Sequence, residues 1–290
     1  MDQVFDRDKL ERVNQIFQER LFDEAGDRVR DYLTEDRHLD VERLRPFEVG
    51  YCPPEVPYPL RGHAVVEGRM WAMRGRLVVP IRDEFGEIVA FAGRKLDWCD
   101  GRLENALTQE FGVDRADAMM EKWRNGKWIN EMYHKKHHLY RLWNCRRSLA
   151  EVGHVIIVEG YFDAIALADA GFPNTVCLSG TKLTFWHIQA LRHYGVEHIV
   201  MCLDSDESGV EATEESERAY EGFGTTCRIV LPQGLDPDEA IVHPRHGPIL
   251  RWALRVAGDR RGGKPITVDS VETRLAARND NNEGTNNDQD

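Results

Sequence analysis

Six acidic residues stand where predicted strands end between Val155 and Ile241. The apolar run Val155-Ile156-Ile157-Val158 ends in Glu159-Gly160, with Asp163 three residues beyond the glycine. The run His198-Ile199-Val200-Met201-Cys202-Leu203 ends in Asp204-Ser205-Asp206. A third run, Cys227-Arg228-Ile229-Val230-Leu231, leads through Gly234-Leu235 to Asp236-Pro237-Asp238. Ligands of parallel α/β sheets bind outside the carboxyl ends of the strands. Carboxylates converging there repel one another unless a cation lies between them. Mg²⁺ favours a few carboxylates together with water and substrate phosphates. The pattern therefore predicts metal-assisted phosphoryl chemistry.

The spacings fit that chemistry. Asp204 and Asp206 are two apart, so in extended backbone they share one face. Asp163 lies about one helical turn beyond Glu159 and can look back at the same crevice. Gly160 between them lets the chain turn tightly. Asp236 and Asp238 repeat the two-apart spacing around a stiff proline. Together these residues could hold two cations, one activating an attacking oxygen and one neutralising the leaving group. An isolated acid at such a junction is ordinarily a helix cap. The combination of Glu159 with the Asp204/Asp206 pair is what favours metal.

The elements that must position these acids alternate from Val155 onward. Helical segments Tyr161 to Ala170, Thr184 to Tyr194 and Ser208 to Gly222 separate the strands, which implies βαβ units and a parallel sheet. The first half reads differently. Leu10, Val13, Ile16, Phe17 and Leu21 recur at helical spacing, and Val29, Tyr32 and Leu33 suggest a second helix. Asp40 is placed to cap a short third one, Val41 to Arg45. Phe47 to Tyr51 reads as a strand stopped by Pro53-Pro54. Leu77 to Ile81 and Glu87 to Ala92 read as a hairpin turning through Asp83-Glu84-Phe85-Gly86. Residues 97–121 show no clear period and read as an insertion with a short helix. An amphipathic segment is expected near Ile249 to Val256, and the polar tail from Asn279 buries too little apolar surface to order itself.

The 290 residues suffice for two modest domains with a sizeable core. No apolar stretch approaches the roughly 20 residues that span a bilayer. The acidic start, Met1-Asp2-Gln3-Val4-Phe5-Asp6, has no apolar signal core, so a cytoplasmic protein is expected. None of the six cysteines forms a C-x-x-C pair, and several lie in apolar strand patterns, so buried free thiols are expected. The net charge of −12 is concentrated in the half carrying the acids. Residues 1–150 carry 26 Lys+Arg against 27 Asp+Glu, and the remainder 12 against 23. Between Lys122 and Arg147 there are eight basic residues and one acid, interleaved with Trp123, Trp128, Tyr133, Tyr140 and Trp143. Cations that track phosphates beside aromatic faces that stack on bases suit single-stranded DNA. Trp143, Leu139 and Leu142 are expected in the core instead. His134, His137, His138 and Cys145 fit no common zinc spacing, so no zinc site is expected.

Four motifs in this order resemble the Toprim domain: Glu159-Gly160-Tyr161-Phe162-Asp163, Leu178-Ser179-Gly180-Thr181, Asp204-Ser205-Asp206-Glu207-Ser208-Gly209, and Gly234-Leu235-Asp236-Pro237-Asp238. The preceding half is similar to the subdomain before Toprim in the RNA polymerase core of bacterial DnaG-type DNA primases. The similarity rests on Arg30-Asp31-Tyr32-Leu33, Phe47 to Pro54, Arg76 to Asp83, Ala92-Gly93-Arg94, Lys127 to Asn130 and Lys135 to Tyr140. The resemblance spans about residues 28–245.

The resemblance implies an α/β chain: an α+β N-terminal subdomain at 1–150, then a Toprim-type βαβ parallel-sheet domain at 151–245. A short helical C-terminal extension at 246–275 and a disordered tail at 276–290 complete the expected organisation. It implies a primase that joins ribonucleotides on single-stranded DNA during replication. Glu159, Asp204 and Asp206 would be catalytic and bind Mg²⁺ or Mn²⁺, with Asp163, Asp236 and Asp238 assisting. Arg76, Arg94, Lys127, Asn130 and Lys135 would bind template and incoming ribonucleoside triphosphate. A replicative helicase and a separate zinc-bearing subunit are the further partners it implies, and no membrane. The family's zinc-binding and helicase-binding domains are not recognisable here, which suggests a phage or plasmid replication protein. The rival functions are a Toprim nuclease, which uses the same metals to cleave, and an inactive module that binds DNA or the replisome. Topoisomerases share the acids but not this N-terminal half.

Overall fold

The computed structural model describes residues 7–55, 70–131, 133–180, 182–205, 207–260 and 264–269. The expected tail at 276–290 lies outside them. The chain forms two compact units, 1–134 and 135–290.

The first unit is built on an antiparallel sheet. Helix α1 (Arg7–Phe22) is followed by α2 (Asp27–Asp31), which continues into a wider turn over Tyr32–Asp36. Asp40 caps the next turn as expected, accepting from the Glu42 N–H. That turn is a 3-10 helix running through Phe47, so the strand expected at Phe47 to Tyr51 starts later, as β1 (Gly50–Cys52). Glu48 ends the turn in a left-handed conformation, φ 57°, which a strand cannot accommodate. The expected hairpin is present as β2 (Arg76–Arg82) and β3 (Ile88–Lys95). Residues 97–121 hold more helix than the single short one expected. They form two helices, α3 (Asp100–Phe111) and α4 (Val113–Arg124), which pack on each other. Leu103 and Leu107 on one, and Ala116, Met119, Met120 and Trp123 on the other, supply the buried stripes. A short β4 (Trp128–Asn130) completes the sheet in the order β1-β2-β3-β4. Leu10, Val13, Ile16 and Phe17 of α1 pack on Val78, Ile88 and Phe91.

The second unit contains the expected parallel sheet. Its elements are α5 (Leu142–Val152), β5 (His154–Val158), α6 (Tyr161–Asp169), β6 (Thr175–Cys177), α7 (Phe185–His193), β7 (His198–Met201), α8 (Glu207–Tyr220), β8 (Thr225–Val230), α9 (Pro237–Val242), α10 (His246–Asp259) and β9 (Ile266–Thr267). The unit begins before the boundary expected at 150. Leu139, Leu142, Cys145 and Leu149 share a core with Val155, Ile157 and Val176, so α5 belongs to this sheet. The expected C-terminal extension is also part of it: α10 packs on β5, β7 and β8, and β9 pairs with β8. All strand pairs are parallel, in the order β6-β5-β7-β8-β9. The chain thus runs from β5 outward to β6, then returns past β5 to β7 and continues away. The order reverses between β5 and β7. All six cysteines are free and buried.

Candidate active site

The reversal between β5 and β7 is where an open parallel sheet forms its ligand crevice. Glu159 directly follows β5, and Asp204 follows β7 after two intervening residues, Cys202 and Leu203. The two strands pair directly, Ile157 opposite Met201. Both acids are half-buried. From Val155 to Val158 and from Ile199 to Leu203 every side chain is apolar and buried, so these acids are the first polar side chains at the carboxyl ends of the two strands.

The backbone around Glu159 is tied on several sides. Its carbonyl accepts from the Ser179 N–H at 3.2 Å and from the Cys177 thiol at 2.8 Å. Burial pushes that thiol up to about 12, so it stays protonated as a donor. Asp163, in the first turn of α6, is buried. One of its oxygens accepts from the Gly160 N–H at 2.9 Å and the other from the Asp238 N–H at 3.1 Å. The Ser205 hydroxyl accepts from the Gly234 N–H at 3.0 Å. Hydrogen bonds therefore join the loops after β5, β7 and β8 into one framework. Asp238 is half-buried within it, and Asp236 is exposed.

The electrostatics are those of crowded anions. Burial, then the nearby Asp238 and Asp204, hold the Asp163 carboxyl well above the usual carboxylate range. Gly209 of α8 comes in close: a Cβ there would lie 2.3 Å from the Asp204 carbonyl oxygen and 3.0 Å from Glu159 Oε1. Only glycine permits that approach. Beside Asp204 a cavity of about 340 Å³ opens between β8 and α8, lined also by Ser205, Thr213, Arg228 and Gln233. A larger one, about 420 Å³, lies at the opposite edge against Val196, Glu197 and Thr225, away from the acids. Size alone would point to the wrong end of the sheet.

The donor set is all oxygen, with like charges packed against one another. It fits a hard divalent cation held by Glu159 and Asp204 over Asp163. Asp206, expected to share this role, lies outside the described residues, as does Thr181 of the second motif. Among the described residues, no group of three or more His, Cys, Asp or Glu side chains is gathered closely enough to hold a metal ion unaided.

The expected template residues divide. Arg76 is fully buried and faces inward. Its guanidinium donates to the carbonyls of Ala72, Gly93, Gly126 and Trp123, and burial lowers it to about 10. The expectation that it meets template or nucleotide is corrected: it cements β2 to the end of α4. Arg94 is half-buried, donates to the Tyr32 hydroxyl at 2.6 Å, and lies 5.9 Å from the Trp128 ring centre. Lys127 is exposed, and Asn130 is half-buried on β4 beside Ala92. Lys135, in the second unit, is half-buried, with its ammonium 3.5 Å from the Ser179 carbonyl. It thus stands one strand away from Glu159.

The basic, aromatic stretch is partly structural. Trp123 is buried with its indole N–H on the Arg74 carbonyl, and Tyr140 is buried against Tyr161. Arg124 is bound to Asp100 and Glu104, and Arg141 donates into the interior to Ala164 and Thr175. Leu139 and Leu142 are core as expected, but Trp143 is half-exposed under the Arg146 guanidinium, 3.5 Å from the ring centre. The sequence reading gave no role to Ser205 or Arg228. Their signals were an Asp-Ser-Asp loop and an arginine inside an apolar strand.

The site at the strand-order reversal belongs to a recognisable class. Residues 156–241 match a family profile described as Toprim-like. The wider chain is similar to DNA primases. It is 28% identical over 258 residues to the DNA primase of Escherichia coli (strain K12), covering 80% of this chain and 40% of that protein. It is 31% identical over 232 residues to the DNA primase of Deinococcus radiodurans, covering 73% and 37%. The chain therefore spans about two fifths of the length of these relatives. Its fold matches the solved DnaG primase catalytic domain bound to ssDNA, with a TM-score of 0.67 at 24% identity over 87% of this chain and 78% of that one. The resemblance to DnaG-type primases thus holds in sequence and in fold, as does the mixed α/β class. Among the described residues no helix is long and apolar enough to cross a membrane.

Proposed function

We propose that this chain is the catalytic core of a DNA primase, joining ribonucleoside triphosphates into short RNA on a single-stranded DNA template. The observation that carries the reading is the pair Glu159 and Asp204 at the ends of adjacent parallel strands, where the strand order reverses. In the reaction a 3′-hydroxyl attacks the α-phosphate and pyrophosphate leaves in line. Bound Mg²⁺ or Mn²⁺ would supply neutralisation of the attacking and leaving oxygens. Glu159, Asp204 and Asp206 are the residues that would hold it. Asp163 acts by bracing the Gly160 and Asp238 backbone, and with Asp236 and Asp238 it sets the negative charge of the edge. Lys135, with its ammonium at the Ser179 carbonyl, would meet a phosphate oxygen. Arg94, Lys127 and Asn130 would contact template and nucleotide. Helicase, a zinc-bearing subunit and a cytoplasmic setting are what the family likeness supports.

A nuclease would use the same acids. The similarity to primases extends through the first unit, which favours joining over cleavage. The test is incubation with single-stranded DNA, labelled ribonucleotides and Mg²⁺ or Mn²⁺, resolved on a denaturing gel. Short template-dependent RNA, absent with Asp204→Asn, supports the reading. Shortened DNA instead of new RNA would replace it with the nuclease.

A further inference from the structure

Helices of a βαβ unit begin at the edge where the preceding strands end. The first turn of α7 therefore stands on the same carboxyl edge as Glu159 and Asp204. That turn opens with Phe185 and Trp186, which are 57% and 55% exposed. Burial of apolar surface would hide such side chains, so two adjacent ones left in water mark an interaction surface. Among the described residues, they are the only two large exposed hydrophobics that adjoin in sequence.

The two rings meet edge to face, with centres 6.0 Å apart, so they do not stack on each other. The His137 ring lies 4.9 Å from Trp186. His137 closes the short turn Lys135–His137, which presents Lys136 to solvent. This turn is fastened to α7 at two points. The Thr184 hydroxyl donates to the Lys136 carbonyl at 2.7 Å, and the buried His187 ring meets the Lys135 carbonyl at 3.1 Å. The turn that carries Lys136 and the helix turn that carries the rings are thus held together before any ligand arrives.

We infer that Phe185, Trp186, His137 and Lys136 form a stacking platform for single-stranded DNA at the edge of the catalytic sheet. Bases stack on exposed aromatic faces while cations follow the phosphates. Charge complementarity selects this occupant: the turn fastened to α7 carries Lys135 and Lys136 and no acid, so it offers cations to phosphates although the chain as a whole carries −12. The inference rests on the template-dependent reading above and adds residues to it.

The test is binding of a fluorescein-labelled oligo(dT) to the full chain, by anisotropy, over a range of salt. Trp186→Ala and Phe185→Ala should each weaken binding about tenfold with the salt dependence unchanged, because stacking releases no counterions. Lys136→Ala should lower the salt slope by about one counterion. Trp186→Phe should retain most of the affinity. Equal affinity in Trp186→Ala and wild type would overturn the platform, and leave the patch to a protein partner, while RNA synthesis by that variant would keep the primase reading intact. Wild type that neither binds oligo(dT) nor makes RNA would overturn both.

Discussion

The two units bury charge in opposite ways. In the first, Arg76 is sealed inside with its guanidinium shared among four backbone carbonyls. Arg74 is likewise buried, donating to the Pro54 carbonyl at 2.6 Å and pairing with Glu110 at 2.8 Å. In the second, Asp163 is buried beneath an edge that adds more negative charge, and its carboxyl is driven upward by burial and by Asp238 and Asp204. Buried charge is expensive unless compensated. The first unit compensates it internally, which is architecture. The second answers Asp163 with two backbone N–H groups and packs further carboxylates beside it, a crowding that a divalent cation would offset in the proposed function.

That contrast can be broken at either end. The largest effect is expected at the edge. Glu159→Gln or Asp204→Asn should reduce RNA synthesis by about a thousandfold or more, since each removes several kcal/mol of charge stabilisation. Thermal unfolding of either variant should stay near wild type; near-normal synthesis would contradict the site. Next comes Arg76→Ala, which should destabilise the protein by about 3 kcal/mol by stranding four carbonyls in a dry interior. Denaturant unfolding would measure it, and a loss of template affinity with no loss of stability would reverse the assignment. Gly209→Ala should follow, because its methyl group would displace the Asp204 carbonyl. It should lower the turnover rate more than it lowers template affinity, read from steady-state synthesis.

A fourth test concerns pH. Burial lowers the His187 imidazole to about 4. The Thr184 N–H donates to Nδ1, so Nε2 bears the proton and donates to the Lys135 carbonyl. A depressed histidine contributes stability that is present above its unfolded value near 6.5 and lost as pH falls toward 4. The melting temperature should therefore fall across that window, and His187→Gln should flatten the fall. The smallest effect is that of Lys127→Ala, which should cut the salt slope of template binding by about one and leave stability unchanged.

Much of this was legible in the chain. The strand ends that carry Glu159 and Asp204 follow wholly apolar runs, and a buried parallel strand leaves no other place for an acid. The hairpin and the Asp40 cap were equally local signals. Arg76 was not legible, because its partners at Ala72, Trp123 and Gly126 are assembled only by the tertiary fold. Helices α3 and α4 were missed because charged residues dilute their apolar stripes. Tyr140 read as part of a nucleic-acid surface, yet its backbone bridges to Cys177 at the end of β6, and its ring is buried. Sequence pattern locates the acids well. It does not distinguish a cation that faces water from one that faces carbonyls.

In the proposed function Glu159 and Asp204 hold a divalent cation at the strand-order reversal. Calorimetric titration of Mn²⁺ into the protein without nucleotide tests it most directly. Wild type should bind saturably, and Asp204→Asn at least about tenfold more weakly at unchanged thermal stability. Identical isotherms for the two proteins would contradict it.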